Sequence, residues 1–152
     1  MRAMDKNPAQ AQPQAHQLTE LPFTREAPST ARSQLRRFAP TLSGTTLDDG
    51  LVMVSELVTN AIQHGLPEVT LQLWLRTDRI TVAVLDRGDV PPSLICAVPP
   101  GDHPHGRGLL LVNALAARWG VRQTDREAGK TVWFDLDRVA GNLRPATRSG
   151  IR

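Results

Sequence analysis

Tyrosine is missing from the 152 residues, and the aromatic complement is three tryptophans and three phenylalanines. A protein that grips single-stranded nucleic acid stacks bases on aromatic platforms, and such a platform is lacking. The net charge of +3 comes from scattered arginines rather than a basic stripe, which further argues against a direct nucleic-acid partner. Lys6 and Lys130 are the only lysines, a bias for which a GC-rich genome suffices. Cys96 is the single cysteine, so no internal disulfide can form, and a reducing compartment is implied. No apolar run approaches the roughly 20 residues that cross a bilayer, and the N-terminal stretch lacks the signal-peptide pattern. The expectation is a cytoplasmic protein with no membrane partner.

What is present is a patterned centre between two polar ends. An apolar fraction of 40% suits a globular domain. Residues 1–20 are rich in Gln, Ala and Pro and are expected to be a disordered tail; residues 139–152, punctuated by Gly141, Pro145 and Gly150, are expected to be a flexible one. The domain is expected over residues 21–138. Leu21 to Arg25 reads as a short edge strand, and Pro28 and Ser29 open a helix through Phe38, with Leu35 and Phe38 on its apolar side. Thr45, Thr46, Asp48 and Asp49 offer a cap and an acidic first turn for a helix to His64, whose stripe is Leu47, Leu51, Val54, Val58 and Ala61. Gly65 and Pro67 stop it.

From Val69 the period becomes two. Val69, Leu71, Leu73 and Leu75 alternate with Thr70, Gln72, Trp74 and Arg76, and Ile80, Val82 and Val84 alternate again after a turn at Thr77-Asp78, predicting an antiparallel hairpin. The Pro- and Gly-rich stretch from Gly88 to Pro104 is a candidate lid. Gly106 to Arg118 reads as a helix, and Trp119 to Thr124 with Thr131 to Leu136 as a second hairpin around Glu127 to Gly129. This order predicts an α+β fold: a two-layer α/β sandwich whose mixed, mostly antiparallel sheet carries its helices on one face.

Four short elements carry chemistry. Glu56, Asn60 and His64 are four residues apart and share one helix face, where a carboxylate and an amide one turn apart can share a hydrated metal ion or a water. A solvated polar face is the commoner use of such a trio. Asp86-Arg87-Gly88 ends a strand; the carboxylate can accept from an exocyclic amine while Gly88 lets the backbone approach a flat ring, although Asp-x-Gly is often a plain turn. Gly106-Arg107-Gly108-Leu109 places glycines at a helix start, where free N–H groups suit phosphate and ordinary capping is the alternative. Thr131, opening the last strand, presents a hydroxyl to a ligand or simply favours β structure.

In this order the four elements resemble the boxes of the GHKL ATPase superfamily, which includes gyrase, the mismatch-repair ATPases and the histidine kinases. The resemblance covers residues 21–137. The runs Ser55-Glu56-Leu57-Val58-Thr59-Asn60-Ala61 and Gly106-Arg107-Gly108-Leu109-Leu110-Leu111-Val112 are most similar to the compact bacterial anti-sigma-factor serine/threonine kinases. It implies a Bergerat-type ATP-binding fold, ATP with Mg²⁺ as cofactors, Asn60 as the Mg²⁺ ligand and Glu56 as the general base acting on a substrate serine. It further implies that Asp86 bonds the adenine amine with Gly88 close to the base, that Gly106, Arg107, Gly108 and Leu109 form the phosphate-side segment, and that Thr131 supports adenine. Implied partners are a sigma factor, an anti-anti-sigma protein of STAS type and a second copy of the chain through Leu21 to Phe38.

Some features depart from that pattern. No phosphoacceptor-histidine helices precede the ATPase segment and no transducer domain follows it, so a sensor kinase or gyrase-like machine is not expected. His103 and His105 in the lid are foreign to the pattern; they read as a polar lid tip rather than metal ligands with Cys96. The leading expectation is an ATP-dependent kinase acting in transcription regulation. The alternative is a non-catalytic, nucleotide-gated interaction module of the same fold.

Overall fold

The computed structural model describes residues 12–88, 107–123 and 129–138. The first strand, β1, spans Ala15–Leu21, six residues earlier than the edge strand expected from Leu21 onward, and it corrects the inner end of the tail expected over residues 1–20. The reason lies in side chains that a hydrophobicity pattern ignores. Gln17, Thr19 and Leu21 face inward, and the Gln17 amide donates to Gln34 Oε1 at 2.6 Å and to Thr19 Oγ1 at 3.1 Å. A polar strand is thereby held by its ladder and two amide bonds rather than by apolar burial. Both chain ends, residues 1–11 and 139–152, lie outside the described residues.

Helix α1 (Ala27–Phe38) starts with Pro28 in its first turn, where the missing N–H costs nothing, and ends in Arg36 and Arg37, which complement the helix dipole. Its buried residues are Ala27, Ala31 and Leu35, one turn apart, with Phe38 partly buried beside them. Helix α2 (Gly44–His64) begins after Ser43, upstream of the Thr/Asp cap expected. Its buried stripe is Gly50, Met53, Val54, Leu57, Val58 and Ala61; Leu47 and Leu51 are only partly buried at its margin. Gly50 shifts the stripe, because a Cβ there would stand 2.7 Å from Leu136 Cδ1, so this is where the helix lies closest to the sheet.

The hairpin of β2 (Val69–Leu75) and β3 (Arg79–Asp86) appears where the alternation predicts it. Helix α3 (Arg107–Leu115) buries Leu109 and Val112, and β4 (Arg118–Gln123) pairs with β5 (Lys130–Asp137) as the second hairpin. The strand order is β1-β2-β3-β5-β4, and every pairing among the described strands is antiparallel. The sheet is therefore not mixed. Two helices, not one, separate β1 from β2, so the chain travels out and back and re-enters in the opposite sense. Strands β3 and β4 are not neighbours, because β5 inserts between them.

Helices α1 and α2 pack on the same sheet face, and α3 packs against α2 and β4. Leu71, Leu73, Ile80, Val82, Val84, Phe134 and Leu136 form the sheet's share of the core. Burying each such side chain contributes about 1.5–3 kcal/mol. The opposite face carries Trp74, stacked on His16 at 4.8 Å, and Trp133, whose indole lies against Gly120. Among the described residues no helix is long and apolar enough to cross a membrane.

Candidate functional site

Inward parity along β3 runs Ile80, Val82, Val84, Asp86, so the strand that builds the core ends by pushing a carboxylate to the same side. Asp86 is 2% exposed. Its Oδ1 accepts the Gly88 backbone N–H at 2.6 Å, and its Oδ2 accepts from Lys130 Nζ at 2.8 Å. Lys130, 4% exposed, stands directly opposite Asp86 in the β3–β5 register. An acid this deep needs a counter-charge or hydrogen bonds, and it has both.

Glycines shape the space around it. A Cβ on Gly65, which follows α2, would stand 2.5 Å from the Asp86 carboxylate and 2.6 Å from the Ala61 carbonyl. A Cβ on Gly88 would meet Gly65 Cα at 2.7 Å and Asp86 Oδ1 at 2.8 Å. The Arg87 N–H donates to the Leu66 carbonyl at 3.0 Å, which ties the segment after α2 to the end of β3. The end of α2, the end of β3 and the start of β5 thus converge on one carboxylate, with glycine backbone close against it and Lys130 as its counter-charge.

The other sequence-identified residues distribute unequally. Glu56 and Asn60 lie one turn apart on α2, both half-buried. Glu56 lines a cavity of about 390 Å³ between α1 and α2, with Arg32, Arg36, Asp48 and Ser55 among its walls. There Arg32 Nη1 donates to Ser55 Oγ at 2.8 Å, and Ser55 donates to the Leu51 carbonyl at 2.8 Å, so the wall is braced. Arg107 and Gly108 open α3, while Leu109 is 8% exposed and packs into the core, which makes it an anchor for that helix start rather than a ligand contact. Gly106 lies outside the described residues, as do Cys96, His103, His105 and most of the expected lid.

Thr131 departs from expectation. It pairs with Leu85, one residue out of phase with Asp86, and so its side chain projects from the outer face while Lys130 and Val132 project inward. Strand parity alone separates Thr131 from the Asp86 carboxylate. Lys130 is the residue that the motif reading passed over. Its signal was available: Val132, Phe134 and Leu136 set the inward phase of the last strand, and Lys130 is in that phase.

A second buried polar cluster occupies the outer face at the far end of β3 and β5. Thr81 Oγ1 donates to Asp135 Oδ1 at 2.6 Å and accepts from Arg76 Nη1 at 3.1 Å. Arg118 Nε donates to Asp135 Oδ2 at 3.0 Å, and Arg79 Nε stands 3.8 Å from the same oxygen. Burial, and then the neighbouring Arg79 charge, lower the Arg76 pKa. Burial also works against the Arg118 charge, but the hydrogen bond and charge of Asp135, with Asp137, outweigh it and raise the Arg118 pKa.

Residues 21–136 match the family model described as the histidine kinase-like ATPase domain. A solved structure, that of the RsbU and RsbW domains of Rv1364c from Mycobacterium tuberculosis, is similar at TM-score 0.57 and 19% identity. The match covers 81% of this chain and 32% of that one, so the present chain spans about a third of that structure's length. No curated protein matches.

Proposed function

The chain belongs to the histidine kinase-like ATPase domain family, and from that premise we propose that it is an ATP-binding, anti-sigma-factor-like serine protein kinase. In this reading it binds a sigma factor and phosphorylates a serine of an anti-anti-sigma protein of STAS type. The observation that carries the reading is the buried Asp86 carboxylate in its cradle of Gly65 and Gly88. An ionised carboxylate accepts hydrogen bonds and donates none, so it suits the exocyclic amine of adenine and opposes a carbonyl at the same position.

The residues fit the nucleotide. Asp86 would take the amine, and Gly65 and Gly88, free of Cβ atoms, let the backbone lie against the carboxylate that reads it. The backbone N–H groups at the start of α3, Arg107 and Gly108 with Gly106 before them, meet the phosphates, as free helix N-termini do. Asn60 would hold Mg²⁺ through its amide oxygen, a donor that suits this hard ion, and the ion would supply charge neutralisation at the phosphates. Bound Mg-ATP supplies the transferable phosphoryl group and most of the charge neutralisation. Glu56 accepts the proton of the attacking serine hydroxyl, and the α2 helix holds Glu56 and Asn60 at a constant separation.

The cavity between α1 and α2 favours a second reading, a nucleotide-gated interaction module without phosphoryl transfer. Glu56 there shares a wall with Arg32 and Arg36, a mixed-charge surface suited to a charged segment of a partner. Incubation with labelled ATP and candidate anti-anti-sigma proteins separates the two. Label transfer that disappears in Glu56→Ala while ATP binding persists identifies the kinase; binding without transfer to any candidate identifies the module. Titration calorimetry with Mg-ATP and Mg-GTP tests the site itself. Equal affinity for the two nucleotides overturns the adenine assignment, and Asp86→Asn is expected to weaken ATP binding roughly tenfold or more.

A further inference from the structure

Asp86 and Lys130 form an ion pair taken out of water at both ends, with side chains 2% and 5% exposed. Such pairs are poor sources of stability, because desolvating two charges offsets most of their attraction and a well-packed apolar pair often does as well. The pair sits in the inward phase of both strands, where Val84 and Val132 are the next residues, so an apolar pair in this place would continue the core. Its location at the glycine-lined carboxylate suggests a use for the charges.

The donor and acceptor count gives that use. An ionised carboxylate offers about four lone-pair positions, and the Gly88 N–H and Lys130 occupy two of them. An ammonium carries three N–H donors, and the bond to Asp86 uses one. Spare acceptor and spare donor capacity therefore stand side by side, 2.8 Å apart. An exocyclic aromatic amine flanked by a ring nitrogen presents the complementary pair, donor beside acceptor. Thr131 cannot supply the partner from β5, because it projects from the other face of the sheet.

We propose that Lys130 is a specificity-determining residue of the nucleotide site: its ammonium donates to the adenine ring nitrogen beside the amine that Asp86 accepts. This rests on the ATP-binding reading above. The base is then read by two charged groups acting together, an acid for the amine and a cation for the ring nitrogen. Lys130 also holds the Asp86 carboxylate in one orientation, so the two recognition bonds are coupled.

The test uses the full chain and titration calorimetry with Mg-ATP, its 1-deaza analogue and its 7-deaza analogue. Each analogue replaces by C–H one of the two ring nitrogens that flank the amine. The wild-type protein is expected to bind one of them roughly tenfold or more weakly than ATP, since a hydrogen bond from a charged donor is lost. In Lys130→Met, ATP affinity is expected to fall by a similar factor, and ATP and that analogue should bind equally. Preserved discrimination in Lys130→Met, or ATP binding as tight as in wild type, overturns the proposal and leaves Lys130 a counter-ion only. Should Lys130→Met not fold, the wild-type series decides: equal binding of ATP and both analogues overturns the assignment. Wild-type protein that binds no adenine nucleotide at all removes the ATP-binding reading itself, an outcome distinct from the other two.

Discussion

The two middle strands, β3 and β5, each carry an acid buried to a similar degree, Asp86 at one end and Asp135 at the other, on opposite faces of the sheet. Asp135 is enclosed by Thr81, Arg118 and Arg79, and Arg76 reaches the same group through Thr81. Asp86 has one lysine, one backbone N–H and two glycines where side chains would otherwise stand. The outer-face acid is neutralised redundantly, as suits a cluster that ties strand ends together. The inner acid keeps unused hydrogen-bonding capacity beside a single counter-ion and close-packed glycine backbone, as suits a group awaiting a ligand. The same residue type at similar burial can be scaffold or site, and the neighbours decide which.

Several substitutions would break or sharpen that contrast. The largest effect is expected from Asp135→Ala, which strands the buried Arg76 and Thr81; the loss should be about 3–5 kcal/mol in denaturant unfolding, with ATP affinity unchanged in the fraction that remains folded. Gly65→Ala comes next, because the new methyl would overlap Asp86 and the Ala61 carbonyl. Overpacking there should cost about 1–3 kcal/mol and lower ATP affinity roughly tenfold or more by displacing the carboxylate. Unaltered calorimetric affinity in Gly65→Ala would argue against the cradle. Asp137→Ala removes a half-exposed partner of Arg118 at the rim of the outer cluster. Its cost should not exceed about 1 kcal/mol in the same unfolding assay, since solvent screens the pair. The smallest effect is expected from Thr131→Val, with stability within about 0.5 kcal/mol of wild type and ATP binding unchanged. A large loss of ATP affinity in Thr131→Val would mean that the outer face takes part in binding.

Particular residues show how far the sequence could be read. The alternation from Val69 through Val84 places the hairpin and, by continuing its phase, brings Asp86 to the inner face. The 3.6-residue period places α2 and sets Glu56 and Asn60 one turn apart. The strand at Ala15–Leu21 escapes such reading because its inward residues Gln17 and Thr19 are polar, and Gln17 meets Gln34 only when α1 packs against the strand. The face of Thr131 escapes a motif for a related reason: a motif names residue types, whereas a strand distinguishes odd from even positions, and a shift of one reverses the face. Alternation sets Arg76 opposite the apolar stripe, and it is nonetheless buried, because the outer face has a polar core of its own.

Periodicity, caps and glycine placement are local properties, because each depends on backbone geometry within a few residues, and they determine by themselves the helices, the hairpins and the candidate acids of this chain. Which strands become neighbours is not local. The insertion of β5 between β3 and β4, which makes every described pairing antiparallel, brings Lys130 to Asp86 across 44 residues of chain. Only that long-range register decides that a lysine, and not the adjacent threonine, meets the acid. Cross-strand contacts join residues that the sequence separates, and their identity is settled when the sheet assembles around a common core.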